Sequence, residues 1–256
     1  MAKLIRMDLY RMLKARPFYI CLILMFVLAL ISSPAAKLLY TLATSFSSEV
    51  TDAFPAEKNI SDIIGNPFPI MGLMMILLSL CYFFYADVEN GYIKNIAGQM
   101  PMKGFTILSK FVAAIVHNLI FTVAAIIGNL IGTLIVQRIA MDSGAADSVR
   151  TLFLKLLLLQ SICAILLLVV STFRSKPLGM ILAVLFGLGL TPLLYMGINE
   201  ILKPVFGKGT DISNYMPDSV MGEDPLDTVK AILVALVTGG IFLPLAIRIF
   251  DRKDVK

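Results

Sequence analysis

Six stretches of this chain run for about the length of a bilayer-crossing helix without a charged side chain, and nothing else constrains the fold as strongly. They cover residues 17–36, 63–86, 111–137, 156–173, 177–199 and 231–247. A hydrocarbon core about 30 Å thick needs about 20 residues of helix, and a backbone inside it must satisfy its own hydrogen bonds. Helices are therefore expected throughout. The fourth run extends back to residue 152 if Lys155 snorkels outward from the first turn, and the short sixth run is completed by Lys230 and Arg248 in the same way.

Composition agrees: the chain is 58% hydrophobic and 15% charged, against about 45–50% and about 25% in soluble domains. No polar block is large enough to fold alone, so residues 1–256 read as one all-α membrane domain of six spans. The first run has no small-residue cleavage site close behind it and reads as an uncleaved span. Cys21, Cys81 and Cys163 each lie inside an apolar run, and their odd number gives neither a disulfide framework nor a metal-ligand spacing.

Charge then sets direction. Of 22 basic residues, 14 fall in the first 16 residues, the second and fourth connectors and the tail, whereas 12 of 17 acids fall on the other side. Lys and Arg are retained in the cytoplasm, so both termini, residues 87–110 and residues 174–176 are expected inside. The net charge of +5 is then a matter of topology, and no separate basic patch points to nucleic acid.

Outside the bilayer, the connector at 37–62 opens with Leu38, Leu39, Leu42 and Phe46, a stripe that continues the first helix outward. Within the connector at 200–230 the cluster Asn214, Pro217, Gly222, Asp224 and Pro225 reads as irregular loop. The connector's acids, Asp211, Asp218, Glu223, Asp224 and Asp227, lack the spacing of a known calcium loop and read as a solvated rim. At the N-terminus, Ile5, Leu9, Met12 and Leu13 fall on one helical face and Lys3, Arg11 and Lys14 opposite, the pattern of a helix lying in the headgroup plane.

The second inner connector is the most informative. Asp87, Val88, Glu89, Asn90, Gly91, Tyr92, Ile93, Lys94, Asn95 and Ile96 form a short helical pattern in which Val88, Tyr92 and Ile96 make one apolar stripe, ended by Gly98 and Pro101. Such a helix either lies on lipid or docks into a groove of a soluble partner. Two stripes of small residues, Gly128 with Gly132 and Gly179, Ala183, Gly187 with Thr191, permit close helix approach, within one chain or between two copies.

Several chemistries lack their residues. ATP hydrolysis needs a GxxxxGK[ST] loop, and the nearest string, Gly207-Lys208-Gly209-Thr210, has neither the upstream glycine nor the adjacent hydroxyl. An intramembrane enzyme needs an acid, base or metal set at membrane depth, and only His117, beside Asn118, is present. An ion- or proton-coupled carrier normally has repeated halves and ionisable midplane residues, and neither is apparent.

Against this background, Leu4-Ile-Arg-Met-Asp-Leu-Tyr-Arg-Met-Leu-Lys14, then Glu89, Gly91, Ile93, Lys94 and Asn95, then Lys103 and Ile107-Leu-Ser-Lys110, resemble a known pattern. It is that of the permease subunits of type-2 ATP-binding cassette (ABC) exporters, especially those of antibiotic-peptide export and immunity. Six spans and the cationic tail Phe250-Asp-Arg-Lys-Asp-Val-Lys256 match as well. The resemblance implies a multi-pass protein of the bacterial cytoplasmic membrane. It implies that Asp87 to Ile96 is a coupling helix seated in a separate ATPase, present in two copies, with Glu89 and Lys94 as ion-pairing groups. It further implies a second permease chain, identical or a close paralogue, with the Gly179–Thr191 stripe at the seam. ATP would be bound by the partner and no cofactor by this chain, and the cargo would be hydrophobic or amphipathic, an antimicrobial or toxin-like peptide. Pro101 departs from the pattern, standing where basic residues are usual. The alternatives are an ion- or proton-coupled carrier, or an accessory or sensor membrane protein without transport of its own.

Overall fold

The computed structural model describes residues 2–46, 54–69, 71–89, 104–142, 144–173, 175–206 and 212–252. Four helices are long and apolar enough to cross a membrane: α2 (Arg16–Phe46), α5 (Phe105–Val136), α6 (Ala145–Phe173) and α10 (Thr228–Arg252). Around them stand α1 (Ala2–Lys14), α3 (Ile60–Gly65), α4 (Gly72–Glu89), α7 (Lys176–Gly187), α8 (Thr191–Phe206) and α9 (Pro217–Met221). The fold is helical, with five candidate spans by length and composition if α7 and α8 together make one.

Its side chains are sorted for lipid. Large apolar residues face outward along every long helix, among them Ile23 on α2, Ile135 on α5, Phe153 on α6 and Leu236 on α10, each more than 60% exposed. Ser79, Asn118, Thr122, Asn129 and Thr133 are buried. In water that arrangement would expose a large apolar surface and strand polar groups inside, whereas hydrocarbon favours it.

Three helix pairs build the bundle: α2 with α5, α4 with α7, and α6 with α10. The first depends on the stripe at Gly128 and Gly132. A Cβ at Gly132 would overlap the Leu30 carbonyl oxygen, and one at Gly128 would stand 2.8 Å from that of Phe26. Leu30 is the residue whose carbonyl loses its helical partner at Pro34, which has no N–H. Ser33 and Thr133 hydroxyls, 3.0 Å apart, and Ser32 with Asn129 at 2.8 Å join the helices just beyond. Contacts that advance together along both chains make this pair parallel, whereas Gly179 against Cys81 and Gly187 against Met74 make α4 and α7 antiparallel.

Several expected boundaries shift. The run at 63–86 is two helices, because Pro67 and Pro69 deny donors to a continuous helix between α3 and α4. The run at 177–199 bends by 102° between α7 and α8. Gly189 adopts a φ of +67° there, a left-handed conformation glycine takes readily, and Pro192 opens α8. The helices expected at 111–137, 152–173 and 231–247 each begin earlier, and α10 also ends later, so charged residues are drawn into the bundle rather than left in connectors. The first helix continues past its apolar run to Phe46, as the stripe at Leu38, Leu39 and Leu42 suggests. The connector at 200–230 is not wholly irregular: it holds the end of α8, a 3-10 turn at Ile212–Tyr215, and α9. A small parallel sheet also departs from the all-helical expectation, with Glu57–Asn59 (β1) pairing Arg138–Ala140 (β2).

The helix ends sort into two sets. α1, the ends of α4, α6 and α10, and the starts of α5 and α7 gather at the near end; α3, both strands and α9 gather at the far end.

Candidate functional site

At the near end α1 does not lie on the bundle by an apolar face alone. The expected face was Ile5, Leu9, Met12 and Leu13, but the buried positions are Leu4, Asp8 and Met12, while Leu13 is exposed. The helix is rotated because it has polar partners to meet. Arg11 Nη2 lies 2.5 Å from Asp87 Oδ1 in the last turn of α4, and Lys110 Nζ on α5 lies 3.0 Å from Asp87 Oδ2. Lys110 also donates to the carbonyls of Phe84 at 2.6 Å and Phe83 at 3.3 Å. Its ammonium thereby meets the negative end of α4. Ser109 donates to Asp8 Oδ2 at 2.5 Å, and Arg11 stands 3.9 Å from the other Asp8 oxygen.

Asp8, Arg11, Asp87 and Lys110 thus form a charge-neutral cluster joining three helices. Asp8, Asp87 and Lys110 are each no more than 3% exposed. Burial holds the Asp8 carboxyl above its ordinary range, partly offset by the Ser109 hydrogen bond and the charge of Lys110. Buried ion pairs of this kind define geometry more than they add stability, because loss of any member strands a charge.

Two further ties surround the cluster. Glu89 pairs with Lys176 at 3.3 Å, and that ammonium sits 3.8 Å above the Tyr82 ring, so the end of α4 is bound to the start of α7. The Gly104 N–H donates to Asp251 at 2.5 Å, binding the start of α5 to the end of α10. A cleft of about 450 Å³ opens between α1 and α4, with Phe18, Tyr82 and Phe83 as walls and Arg11, Lys14, Asp87 and Glu89 as its charged groups.

Deeper in the bundle a polar chain links α4, α5 and α6. His117 meets Ser79 at 2.9 Å, Asn118 donates to Gln160 at 3.1 Å, and Gln160 donates to the Phe111 carbonyl at 2.8 Å. His117 also stacks on Phe121 at 4.3 Å. The ring is held by neutral partners, with no carboxylate among those contacts.

The positions singled out in the sequence are distributed unevenly. Asp87 is buried against Arg11 and Lys110, so its carboxylate is turned to the protein's own interior rather than to a partner; Glu89 remains exposed. Val88 lies in the last turn of α4, and Asn90, Gly91, Tyr92, Ile93, Lys94, Asn95 and Ile96 lie outside the described residues. Within this chain the Gly179–Thr191 stripe faces α4: a Cβ at Gly179 would meet Cys81 Sγ at 2.6 Å, and one at Gly187 would overlap the Met74 backbone. Ala183 is buried between them, whereas Thr191 lies past the bend and bonds Asp218. Lys155 does not snorkel outward; it is buried and bonds Asn66. Asp8, Arg11 and Lys110 were not recognised from sequence as one site.

Compared with known proteins, the chain matches no family model, no curated protein and no solved structure.

Proposed function

We propose that the chain is the permease subunit of a type-2 ABC exporter in the bacterial cytoplasmic membrane, its near end in the cytoplasm. It works with two copies of a separate ATPase and a second permease chain to move a hydrophobic or amphipathic compound, an antimicrobial or toxin-like peptide, outward. In this reading α2, α4, α5, α6, α7 with α8, and α10 are the six crossings.

One observation carries the reading. The segment between Glu89 and Gly104, where the coupling helix is expected, is anchored on both sides. Asp87 at its start is fixed to α1 and α5, and Glu89 to α7; Gly104 at its end is fixed to α10. A push on that segment is thereby delivered to four other helices, which is what a partner ATPase needs in order to move a bundle whose sequence carries no phosphate loop. The inside-out sorting of α2, α5 and α10 supports a lipid-embedded pathway.

The test is reconstitution. Proteoliposomes holding the chain with a phosphate-loop ATPase, sought among the neighbouring reading frames, should move an amphipathic cationic peptide only when ATP is supplied, and the absence of any such ATPase would count against the reading. Movement driven by an ion gradient without ATPase would favour a secondary carrier instead. That second reading is supported by the His117–Asn118–Gln160 chain at membrane depth and by the broken α7–α8 helix.

A further inference from the structure

A hollow of about 590 Å³ opens at the far end, where α7 bends into α8. Lys155 of α6 reaches into it, only 8% exposed, and its ammonium meets the Asn66 side-chain oxygen. Among the described residues no carboxylate forms an ion pair with it; Asp224 acts on it only from farther away. The wall contributed by α9 and the residues after it is acidic. Asp218 accepts hydrogen bonds from Thr191 and from Tyr195, the latter at 2.6 Å, and Glu223 pairs with Lys230. The remaining wall is apolar, from Phe68, Leu73 and Phe186. Its rim is exposed, with Met71 at 46% and Leu188 at 40%. The rim runs on to α8, whose Leu193, Met196 and Ile201 are each at least 66% exposed.

We propose that this hollow binds a membrane phospholipid with a zwitterionic head, the phosphate against Lys155 and Asn66, the ammonium toward Asp218 and Glu223, and an acyl chain over Met71 and Leu188. A buried ammonium opposed by a single amide oxygen is poorly compensated, and a phosphate would supply the missing charge-assisted hydrogen bonds. A purely anionic head would press against the acidic wall. An uncharged head would leave Lys155 as it stands. The apolar rim, continuous with the exposed face of α8, favours a ligand entering from lipid over one entering from water. The site does not depend on the export reading, since it rests on groups at the opposite end from the ion cluster.

Native mass spectrometry of the purified chain in detergent tests this, using lysophosphatidylethanolamine, lysophosphatidylglycerol, a monoacylglycerol of the same chain length, and free phosphoethanolamine. The ethanolamine lipid should bind about tenfold more tightly than the glycerol lipid, with the other two weaker still. Lys155→Gln should remove about tenfold of that affinity and Lys155→Arg should retain most of it, while Asp218→Asn should narrow the gap between the two phospholipids. Equal retention of all three lipids by the wild-type chain overturns the proposal whatever the variants do. Equal binding of free phosphoethanolamine overturns the assignment to a lipid, and an unchanged Lys155→Gln overturns the role of that residue.

Discussion

Asp87 serves two cations at once, and that makes it the residue on which the near end most depends. Asp87→Asn leaves Lys110 buried and Arg11 without its closest counter-charge, so thermal or denaturant unfolding of the purified protein should show a loss of about 3–5 kcal/mol. Glu89→Gln breaks an exposed pair and should cost only about 0–1 kcal/mol. Asp8 makes the cluster pH-sensitive with a definite sign. Its carboxyl is raised when α1 is docked, so the docked state holds the proton more tightly than the released state. The contribution of Asp8 to docking is therefore fully present below the ordinary Asp value of about 4 and is lost as pH rises from there through the raised one. Hydrogen exchange of α1 amides should follow that trend, and Asp8→Asn should flatten it. The sequence placed Arg11 on the polar face of the first helix and Lys110 at the entry to the third span, with no link between them. Asp87 stood within the expected coupling helix, but nothing in spacing tells that Asp8, Arg11 and Lys110 converge on it, because the pairing is set by how α1 crosses α4 and α5.

Among the helices, the α2–α5 contact and the exposed face of α10 make opposite demands on glycine. At Gly132 a methyl would strike the Leu30 backbone, which cannot rotate away as a side chain can. Gly132→Ala should destabilise by about 1–3 kcal/mol. A methyl at Gly239 on α10 would meet nothing within 4 Å. Gly239→Ala should be neutral, or stabilising by up to about 1 kcal/mol through helix propensity. Melting of the two variants in one detergent checks the contrast. The long helices were legible because apolar runs of bilayer length leave the backbone little choice. Their ends were not, because charged residues such as Lys110 and Lys155 are accommodated by partners inside the bundle instead of marking its edge. The bend was concealed for another reason: Gly187 fits a small-residue stripe as readily as a break, and only its packing against Met74 and the backbone turn at Gly189 separate the two.

For the whole molecule, the two ends have different chemistry, one built around a neutral ion cluster and the other around a buried lysine and an acidic wall. The proposed orientation puts residue 94 in the cytoplasm. A single cysteine there, in a chain lacking Cys21, Cys81 and Cys163, should resist a membrane-impermeant thiol reagent in intact cells and react after permeabilisation. Labelling in intact cells would reverse the topology. If a partner ATPase drives this bundle through the segment after α4, ATP hydrolysis of the purified complex should respond differently to Tyr92→Asp and Lys94→Ala. A charge in the apolar stripe would resist burial by a few kcal/mol, about enough to prevent assembly. Lys94→Ala removes at most an exposed pair worth about 0–1 kcal/mol. Tyr92→Asp should insert normally but lose both the bound ATPase and cargo-stimulated hydrolysis, whereas Lys94→Ala should keep both; a Tyr92→Asp chain that retains its ATPase and its stimulated hydrolysis would show that the segment does not couple the two proteins.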